Sequence, residues 1–247
     1  MKNKIIQDYP FPISVRYSKV FRAISGLKPD YSKALRFLID TAEILLQINS
    51  YISIKSVLNS EIVPNPRVNQ SLNYLIKHPL STGHWVSILK STVLLFSDSK
   101  NELIIPEIYK LIYKQNKKEN ESIILLDNLP KLRNSEKGHT WEKNEQETKE
   151  IFNQNHPMIE DLLEKCNYLK KYCFFIITDS IKDGDKYIYE YVDLKGLHPY
   201  DNKELLNTKL ELEVGKVYIG KRENMLSKSI DLLKRENIND LNPFIIV

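Results

Sequence analysis

Residues 31–52 read YSKALRFLIDTAEILLQINSYI, and this stretch decides the fold class of the first part of the chain. Its apolar residues recur every three or four positions, which is the spacing of one face of an α-helix. Asp30 and Ser32 stand at its beginning, where a side-chain oxygen can accept a hydrogen bond from a free backbone N–H. The pattern therefore predicts a helix that begins near Asp30.

Helical spacing continues from this stretch, with interruptions, to about Tyr172. Pro64 and Pro66 indicate a loop over 59–68, and Pro157 is placed to kink or split the last helical segment. A polar turn, SEKGHT, is expected after residue 134. The further helical segments that we predict are 71–77, 81–96, 99–118 with an interruption at Pro106, 122–134 and 141–172.

After Tyr172 the apolar period changes from about 3.6 to about 2, which is typical of β-strands. CFFIITD (173–179) and KYIYEYVDL (186–194) are predicted to pair around the turn IKDGD. TKLELEV (208–214) and KVYIGKR (216–222) are predicted to form a second hairpin around Val214-Gly215. We also expect a short helix in SKSIDLLKR (227–235) and a last strand in NPFIIV (242–247).

These patterns predict an α+β fold, with a helical bundle followed by a small antiparallel β-rich domain. Residues 1–29, which carry Pro10, Pro12 and Pro29, are predicted to form an N-terminal arm or short strands. The helical domain is expected over 30–172 and the β-rich domain over 173–247. The chain stops inside an apolar run, so either a buried last strand or a longer polypeptide would explain its end.

The composition limits the class of protein. The chain has 247 residues, of which 42% are hydrophobic and 28% charged, and this balance supports a packed core over disorder. Only 7 glycines are present, which argues against a glycine-rich phosphate-binding loop. The net charge of +4 is a mild basic excess, compatible with a nucleic-acid partner without requiring one.

The number of cysteines and the hydropathy of the chain indicate the cellular compartment in which the protein is expected. Cys166 and Cys173 are too few for a disulfide scaffold or a four-cysteine zinc site, and we expect them to be buried thiols. The N-terminal sequence MKNKIIQDYPFPIS lacks the apolar run of a signal peptide. No uncharged stretch reaches the roughly 18 residues of a membrane helix. A cytoplasmic protein without a membrane partner is therefore expected.

The strongest candidate for chemistry is LRNSEKGH, in which Arg133 and Asn134 are followed, after four residues, by His139. Arginine supplies a permanent cation, histidine exchanges a proton near neutral pH, and the amide can hold a phosphate oxygen or orient the imidazole. Together these groups suit RNA cleavage by the neighbouring 2′-hydroxyl, for which no metal is required. The alternative is a helix end, in which Arg133 covers carbonyls, Asn134 and Gly138 form the turn and His139 caps.

This arrangement resembles the HEPN superfamily (higher eukaryotes and prokaryotes nucleotide-binding domains). The motif of that superfamily is an Arg followed by four to six residues and then a His, with a polar residue directly after the Arg, at the end of a helix in a helical domain. Arg133, Asn134 and His139 match it position by position. The resemblance covers about the first two-thirds of the chain and leaves the β-rich part without a counterpart.

The resemblance implies a metal-independent endoribonuclease of bacterial defence or toxin–antitoxin systems, with RNA as substrate and no cofactor. It also implies a composite site, with two motifs meeting across a homodimer. Arg133 would stabilise the phosphorane, Asn134 would position the phosphate or the imidazole, and His139 would transfer protons. Some members of the superfamily only bind nucleotides or partners. The motif also resembles a helical module of bacterial multidomain proteins, which implies a regulatory or assembly role.

A second candidate surface is KLIYKQNKK, from which Lys110, Tyr113, Lys114 and Lys117 are predicted to bind RNA. On a helix these side chains would form rows in which lysines contact phosphates and the tyrosine stacks on a base. The alternative is a solvated amphipathic helix whose tyrosines pack on the core.

The remaining histidines do not show metal-ligand spacing, so no metal site is predicted. His84 is expected to serve at a helix N-terminus or in packing. Two further functions remain open beside the ribonuclease. One is a non-catalytic interaction or sensor module that docks on a partner protein, for instance in a defence complex. The other is nucleic-acid binding through the lysine-rich faces without cleavage.

Overall fold

The computed structural model describes residues 2–77, 79–138, 144–226 and 238–240. It has an α+β fold, in which helices dominate the first two-thirds of the chain and an antiparallel sheet follows. The chain forms two compact units, one of Arg16–Cys166 and one of Met1–Val15 together with Asn167–Val247. The predicted arm 1–29 is therefore divided, with residues 1–15 in the unit that contains the sheet and residues 16–29 in the helical unit.

The helices are numbered in chain order. Their bounds are α1 (Lys2–Asp8), α2 (Phe11–Ile24), α3 (Tyr31–Asn59), α4 (Pro66–Lys77), α5 (Thr82–Leu95), α6 (Glu107–Ile112), α7 (Ser122–Gly138), α8 (Glu145–Lys165) and α9 (Arg222–Leu226). Within the described residues, none of these helices is both long enough and apolar enough to cross a membrane.

Helix α3 is the centre of the helical unit and confirms the predicted helix. Asp30 is its N-cap and accepts a hydrogen bond from the Lys33 backbone N–H at 2.9 Å. One face of the helix is buried along its whole length, and α5, α7 and α8 pack against it. Ser53 of α3 and Thr92 of α5 share a buried hydrogen bond of 2.7 Å, so small polar side chains occupy part of this interface.

The prediction of an arm or short strands over 1–29 is wrong, because this segment contains two helices, α1 and α2. Pro10 lies between the two helices, and Pro12 lies in the first turn of α2, where a missing backbone N–H costs no helical hydrogen bond. The side chains of Ile5, Tyr9 and Ile13 are fully buried. Pro12 thus marks a helix start, whereas Pro10 forms an isolated antiparallel β-bridge with Lys195.

The predicted helix over 99–118 is also wrong in extent, because α6 ends at Ile112. Tyr113 is extended and forms an isolated β-bridge with Glu119. The Asn120 side chain closes the loop by donating to the Lys110 carbonyl oxygen at 2.7 Å. The lysine-rich segment is therefore a compact turn in which Lys117 has a φ of 62°.

Two other helix bounds differ from the sequence patterns. Helix α4 begins at Pro66, inside the predicted loop, because proline is well suited to the first position of a helix. Helix α7 continues through the predicted polar turn as far as Gly138. Helix α8 is a single element that contains Pro157, so of the two outcomes that the sequence left open, a kink or a split, the split does not occur.

The sheet has five strands in the order β3-β2-β1-β4-β5, and every neighbouring pair is antiparallel. Residue 175 of β1 lies opposite residue 193 of β2 and residue 218 of β4. A bulge interrupts the β1–β2 register between Ile177 and Asp179. The strands are β1 (Tyr172–Asp183), β2 (Lys186–Asp193), β3 (Lys203–Thr208), β4 (Val217–Lys221) and β5 (Ile238–Asp240).

The first predicted hairpin is confirmed, but the second is wrong. Strand β4 pairs with β1, and the strand before it, β3, pairs with β2. The leucines of TKLELEV pack against the core of the sheet, and the Leu212 backbone N–H donates to the Tyr189 hydroxyl at 2.8 Å. The predicted helix over 227–235 and the predicted strand over 242–247 lie outside the described residues.

Candidate functional site

Arg133 lies in the last part of α7, near the middle of the helical unit. Its Nε is 2.5 Å from Oε1 of Glu43, a residue of α3. The two side chains are 28% and 16% exposed, respectively. The predicted cation is therefore a half-buried member of an ion pair, and its partner comes from a helix about 90 residues earlier in the chain.

Thr82 is the third member of this group. Its hydroxyl donates a hydrogen bond to the same Oε1 of Glu43. Thr82 is 4% exposed and is the first residue of α5, whose N-cap Ser81 forms a reciprocal capping box with His84. Glu43 thus joins α3 to the start of α5 and to the end of α7. We refer to Glu43, Thr82 and Arg133 as the three-helix cluster.

Two positive electrostatic features lie beside the Glu43 carboxylate. The start of α5 carries the positive end of a helix dipole, and Arg133 adds a full positive charge beside Glu43. Nε of Arg133 is itself buried, and its contact with Glu43 lacks the angle of a hydrogen bond. The terminal guanidinium nitrogens form no hydrogen bond with the described residues.

Of the other two predicted catalytic residues, the structure describes Asn134 but not His139. Asn134 follows Arg133 within α7 and is exposed. His139 lies outside the described residues, so its distance from Arg133 stays a prediction of the sequence. The alternative of a turn at Asn134 is wrong, because Asn134 lies inside α7 and Arg133 pairs with a carboxylate. Gly138 is the last residue of α7, and the part of that alternative that concerns His139 lies outside the described residues.

Glu43 and Thr82 are the two members of the cluster that the sequence patterns missed. A signal for Glu43 was present, because it falls four residues after Ile39 and three before Leu46, both of them buried. A single carboxylate in register with a buried apolar row needs a cationic or hydrogen-bonding partner. The sequence could have indicated that a partner was needed, although it could not have indicated which residue supplies it.

The predicted RNA-binding residues do not form a helix face. Tyr113 is 6% exposed, and its hydroxyl donates to the Lys90 carbonyl oxygen at 3.1 Å. Burial also raises the pKa of the Tyr113 phenol. The structure therefore supports the alternative in which this tyrosine packs on the core, since a buried ring cannot stack on a base without moving.

The three lysines of that set lie at the surface, and two of them are paired. Lys114 is 3.8 Å from Glu121, and Lys117 is 3.0 Å from Asp98. The hydrogen bond from Lys117 lowers the pKa of the Asp98 carboxyl. Lys110 is exposed. Neighbouring carboxylates thus offset part of the positive charge that RNA binding would need.

A cleft lies between α3, α7 and α8, and its lining residues on α7 run from Leu125 to Leu132. It encloses about 320 Å³, part of which is open to solvent. Apolar side chains line most of it, together with the amides of Asn128 and Asn155. One of the lining residues is Leu132, which directly precedes Arg133. One residue of the cleft is therefore the sequence neighbour of a residue of the three-helix cluster.

A second titratable group lies on α8. His156 stacks on Phe152, with ring centroids 5.0 Å apart and planes at 16°, and its Nε2 is 3.6 Å from Glu160 Oε1. The Tyr17 hydroxyl donates to the same Glu160 oxygen. Desolvation lowers the pKa of His156, and the nearby Glu160 carboxylate acts in the opposite direction. These contacts pack the His156 ring against Phe152 and place it beside the Glu160 carboxylate.

The cysteines are buried free thiols, as the sequence predicted. Burial raises the pKa of the Cys173 thiol, and the neighbouring Asp193 carboxylate adds to the effect. Asp193 is paired with Arg222, whose guanidinium also donates to the carbonyl oxygens of Lys170 and Tyr172. In the part of the chain that the structure describes, no three His, Cys, Asp or Glu side chains are grouped as metal ligands.

No protein-family model, no curated protein and no solved structure matches this chain. Function is therefore argued from the three-helix cluster and its surroundings.

Proposed function

We propose that the helical unit is a HEPN-like, metal-independent endoribonuclease, or an effector derived from one, that acts in the cytoplasm in bacterial defence or in a toxin–antitoxin system. One observation carries the proposal. Arg133 is fixed at Nε by Glu43 while its terminal nitrogens are left without a hydrogen-bond partner among the described residues. An arginine held in this way can present a planar pair of donors to a phosphate.

The proposed reaction is attack of an RNA 2′-hydroxyl on the adjacent phosphorus. A bond from O2′ to phosphorus forms, the bond from phosphorus to O5′ breaks, and a 2′,3′-cyclic phosphate and a 5′-hydroxyl result. His139 transfers a proton in this step, and Arg133 stabilises the charge that develops on the phosphorane. Asn134, exposed beside Arg133, positions the phosphate or the imidazole.

A homodimer belongs to the proposal, because the reaction needs one group to accept the 2′-hydroxyl proton and another to protonate the leaving O5′. Each chain carries one motif histidine, and two chains would supply both groups. The proposed substrate is RNA. A partner protein of a defence complex would act as the trigger or the inhibitor.

The test is incubation of the purified protein with total RNA and with tRNA, in the presence and absence of a chelator. We expect cleavage that persists in chelator and is lost in His139→Ala. His198→Ala is the matched control, because His198 is exposed and lies in the other unit. Since Arg133→Ala leaves Glu43 without its cation, Arg133→Lys is added to keep the charge and change only its geometry. If the wild-type protein does not cleave RNA, the proposal of a ribonuclease is wrong.

A second candidate function is a non-catalytic interaction or sensor module. The ion pair of Glu43 and Arg133 also favours this second function, because Glu43 offsets the charge of Arg133 and joins three helices. In that case Arg133 stabilises the fold and the motif does no chemistry. The two functions are separated by the Arg133→Lys and His139→Ala variants, which would retain partner binding in a module and lose cleavage in a ribonuclease.

A further inference from the structure

We propose that Glu43 is a positioning residue for Arg133, and that Thr82 in turn positions Glu43. This inference rests on the proposed ribonuclease function and assigns roles to two residues outside the motif. A guanidinium lowers the barrier of phosphoryl chemistry only if it already points at the place where charge develops. The free side chain of arginine has about 2 kcal/mol of rotamer entropy, so it needs an anchor.

Glu43 anchors the arginine at a suitable atom. Its Oε1 lies 2.5 Å from Nε, which is the nitrogen nearest the aliphatic stem of the side chain. An ion pair there restrains the stem and leaves the two terminal nitrogens for a ligand. A carboxylate that instead gripped both terminal nitrogens would compete directly with a phosphate.

Thr82 fixes the position of the carboxylate. Its hydroxyl donates to the oxygen that faces Arg133, and the residue is 4% exposed. The backbone at this point is held by the capping box of Ser81 and His84 at the start of α5. The orientation of Arg133 therefore depends on the start of α5 as well as on α3.

A positioning role can be distinguished from a purely structural role by the kinetic constant that a substitution changes. Misplacement of a catalytic group by about 1 Å costs on the order of 100-fold in rate, whereas substrate binding by the rest of the surface is kept. We therefore expect Glu43→Ala to lower kcat by about 10- to 100-fold with little change in KM. Glu43→Gln keeps an acceptor for Thr82 and should lose less activity than Glu43→Ala.

The experiment is steady-state cleavage of a single-stranded RNA oligonucleotide by the full chain and its variants. Thr82→Val should lower kcat, and Thr82→Ser, which keeps the hydroxyl, should restore it. Thr92→Val is the matched control, because Thr92 lies on the same helix, is fully buried, and bonds to Ser53 away from Arg133. It should lower thermal stability without lowering kcat at a temperature where the variant is folded.

The outcomes separate this inference from the proposed function. If the wild type cleaves RNA and loses activity in His139→Ala, while Glu43→Ala and Thr82→Val keep the wild-type kcat, then the positioning role is wrong and the ribonuclease stands. If Thr82→Val lowers kcat and Thr92→Val has the same effect, general destabilisation explains the loss and the positioning role is again wrong. A wild type that cleaves no RNA overturns both.

Discussion

Glu43 and Arg133 form an ion pair between helices that lie far apart in the sequence, with 2.5 Å between Oε1 and Nε. Both side chains are mostly shielded from solvent, so their interaction is screened less than that of a surface pair. Removing only the arginine leaves a carboxylate that is 16% exposed without its cation. The pair should therefore be measurable in the stability of the helical unit.

The first prediction is a coupling between these residues in urea unfolding. Arg133→Ala and Glu43→Ala should each destabilise the protein, and the double variant should lose less than their sum, with a coupling of about 1–2 kcal/mol. Arg16→Ala is the control, because Arg16 contacts Asp40 at 3.9 Å with 41% of its side chain exposed. Strictly additive losses for Arg133 and Glu43 would show that the pair does not stabilise the fold.

The second prediction concerns pH and His156. Because burial lowers the pKa of this imidazole below its ordinary 6.5, the unfolded chain binds a proton more readily than the folded chain. Stability should therefore fall as the pH drops from 6.5 to the folded-state pKa, and should not change further below it. The groups that face the imidazole are Glu160, at 3.6 Å, and the rings of Phe21 and Phe152.

The measurement is the urea midpoint of the wild type and of His156→Phe between about pH 7.5 and about pH 5.5. The wild type should lose more stability on acidification than the variant, which has no imidazole to protonate. Equal losses in the two proteins would mean that His156 is not responsible. A smaller loss in the wild type would mean that Glu160 raises the pKa by more than burial lowers it.

The third prediction concerns the thiols. Cys166 and Cys173 are both buried, and burial raises the pKa of the Cys173 thiol, so the reactive thiolate is scarce. Neither thiol should react with a disulfide reagent in the native protein, and both should react in denaturant. Cys173→Ser identifies the contribution of that residue. Fast reaction of Cys173 under native conditions would contradict its burial in the sheet.

The fourth prediction concerns Arg222, which pairs with a buried aspartate in the sheet. Asp193 is 4% exposed, so Arg222→Ala should destabilise the protein by about 3–5 kcal/mol through an uncompensated buried charge. Arg222→Lys should restore only part of this, because lysine lacks the planar fork that also reaches the Lys170 and Tyr172 carbonyls. Lys221→Ala, at the exposed neighbouring position, should change the urea midpoint little.

Local patterns in the sequence predicted the elements whose signals are themselves local. The periodicity of α3 and its Asp30 cap are contained in one stretch of chain, and the β1–β2 turn places Gly184 at a φ of 63°. The N-terminal helices were missed because Pro10 and Pro12 were interpreted as breaks in regular structure. At a helix start the same residues are favourable.

Features that depend on distant parts of the chain were not predictable in this way. The pairing of β3 with β2 and of β4 with β1 joins segments that are separated in the sequence, and the two-residue spacing alone cannot specify which strands pair. The three-helix cluster likewise joins residues from three separate helices. The sequence could predict Arg133 as a candidate but not the carboxylate and hydroxyl that hold it.

We propose that this protein cleaves RNA by using the substrate's own 2′-hydroxyl as the nucleophile. The most direct test compares cleavage of an RNA oligonucleotide with that of the same oligonucleotide carrying a single 2′-deoxy residue at the scissile position, in chelator, with His139→Ala as the enzyme control. The account predicts a 2′,3′-cyclic phosphate product from the RNA, no cleavage at the deoxy position, and none by the variant. Cleavage at the deoxy position, or equal activity of wild type and His139→Ala, would contradict it.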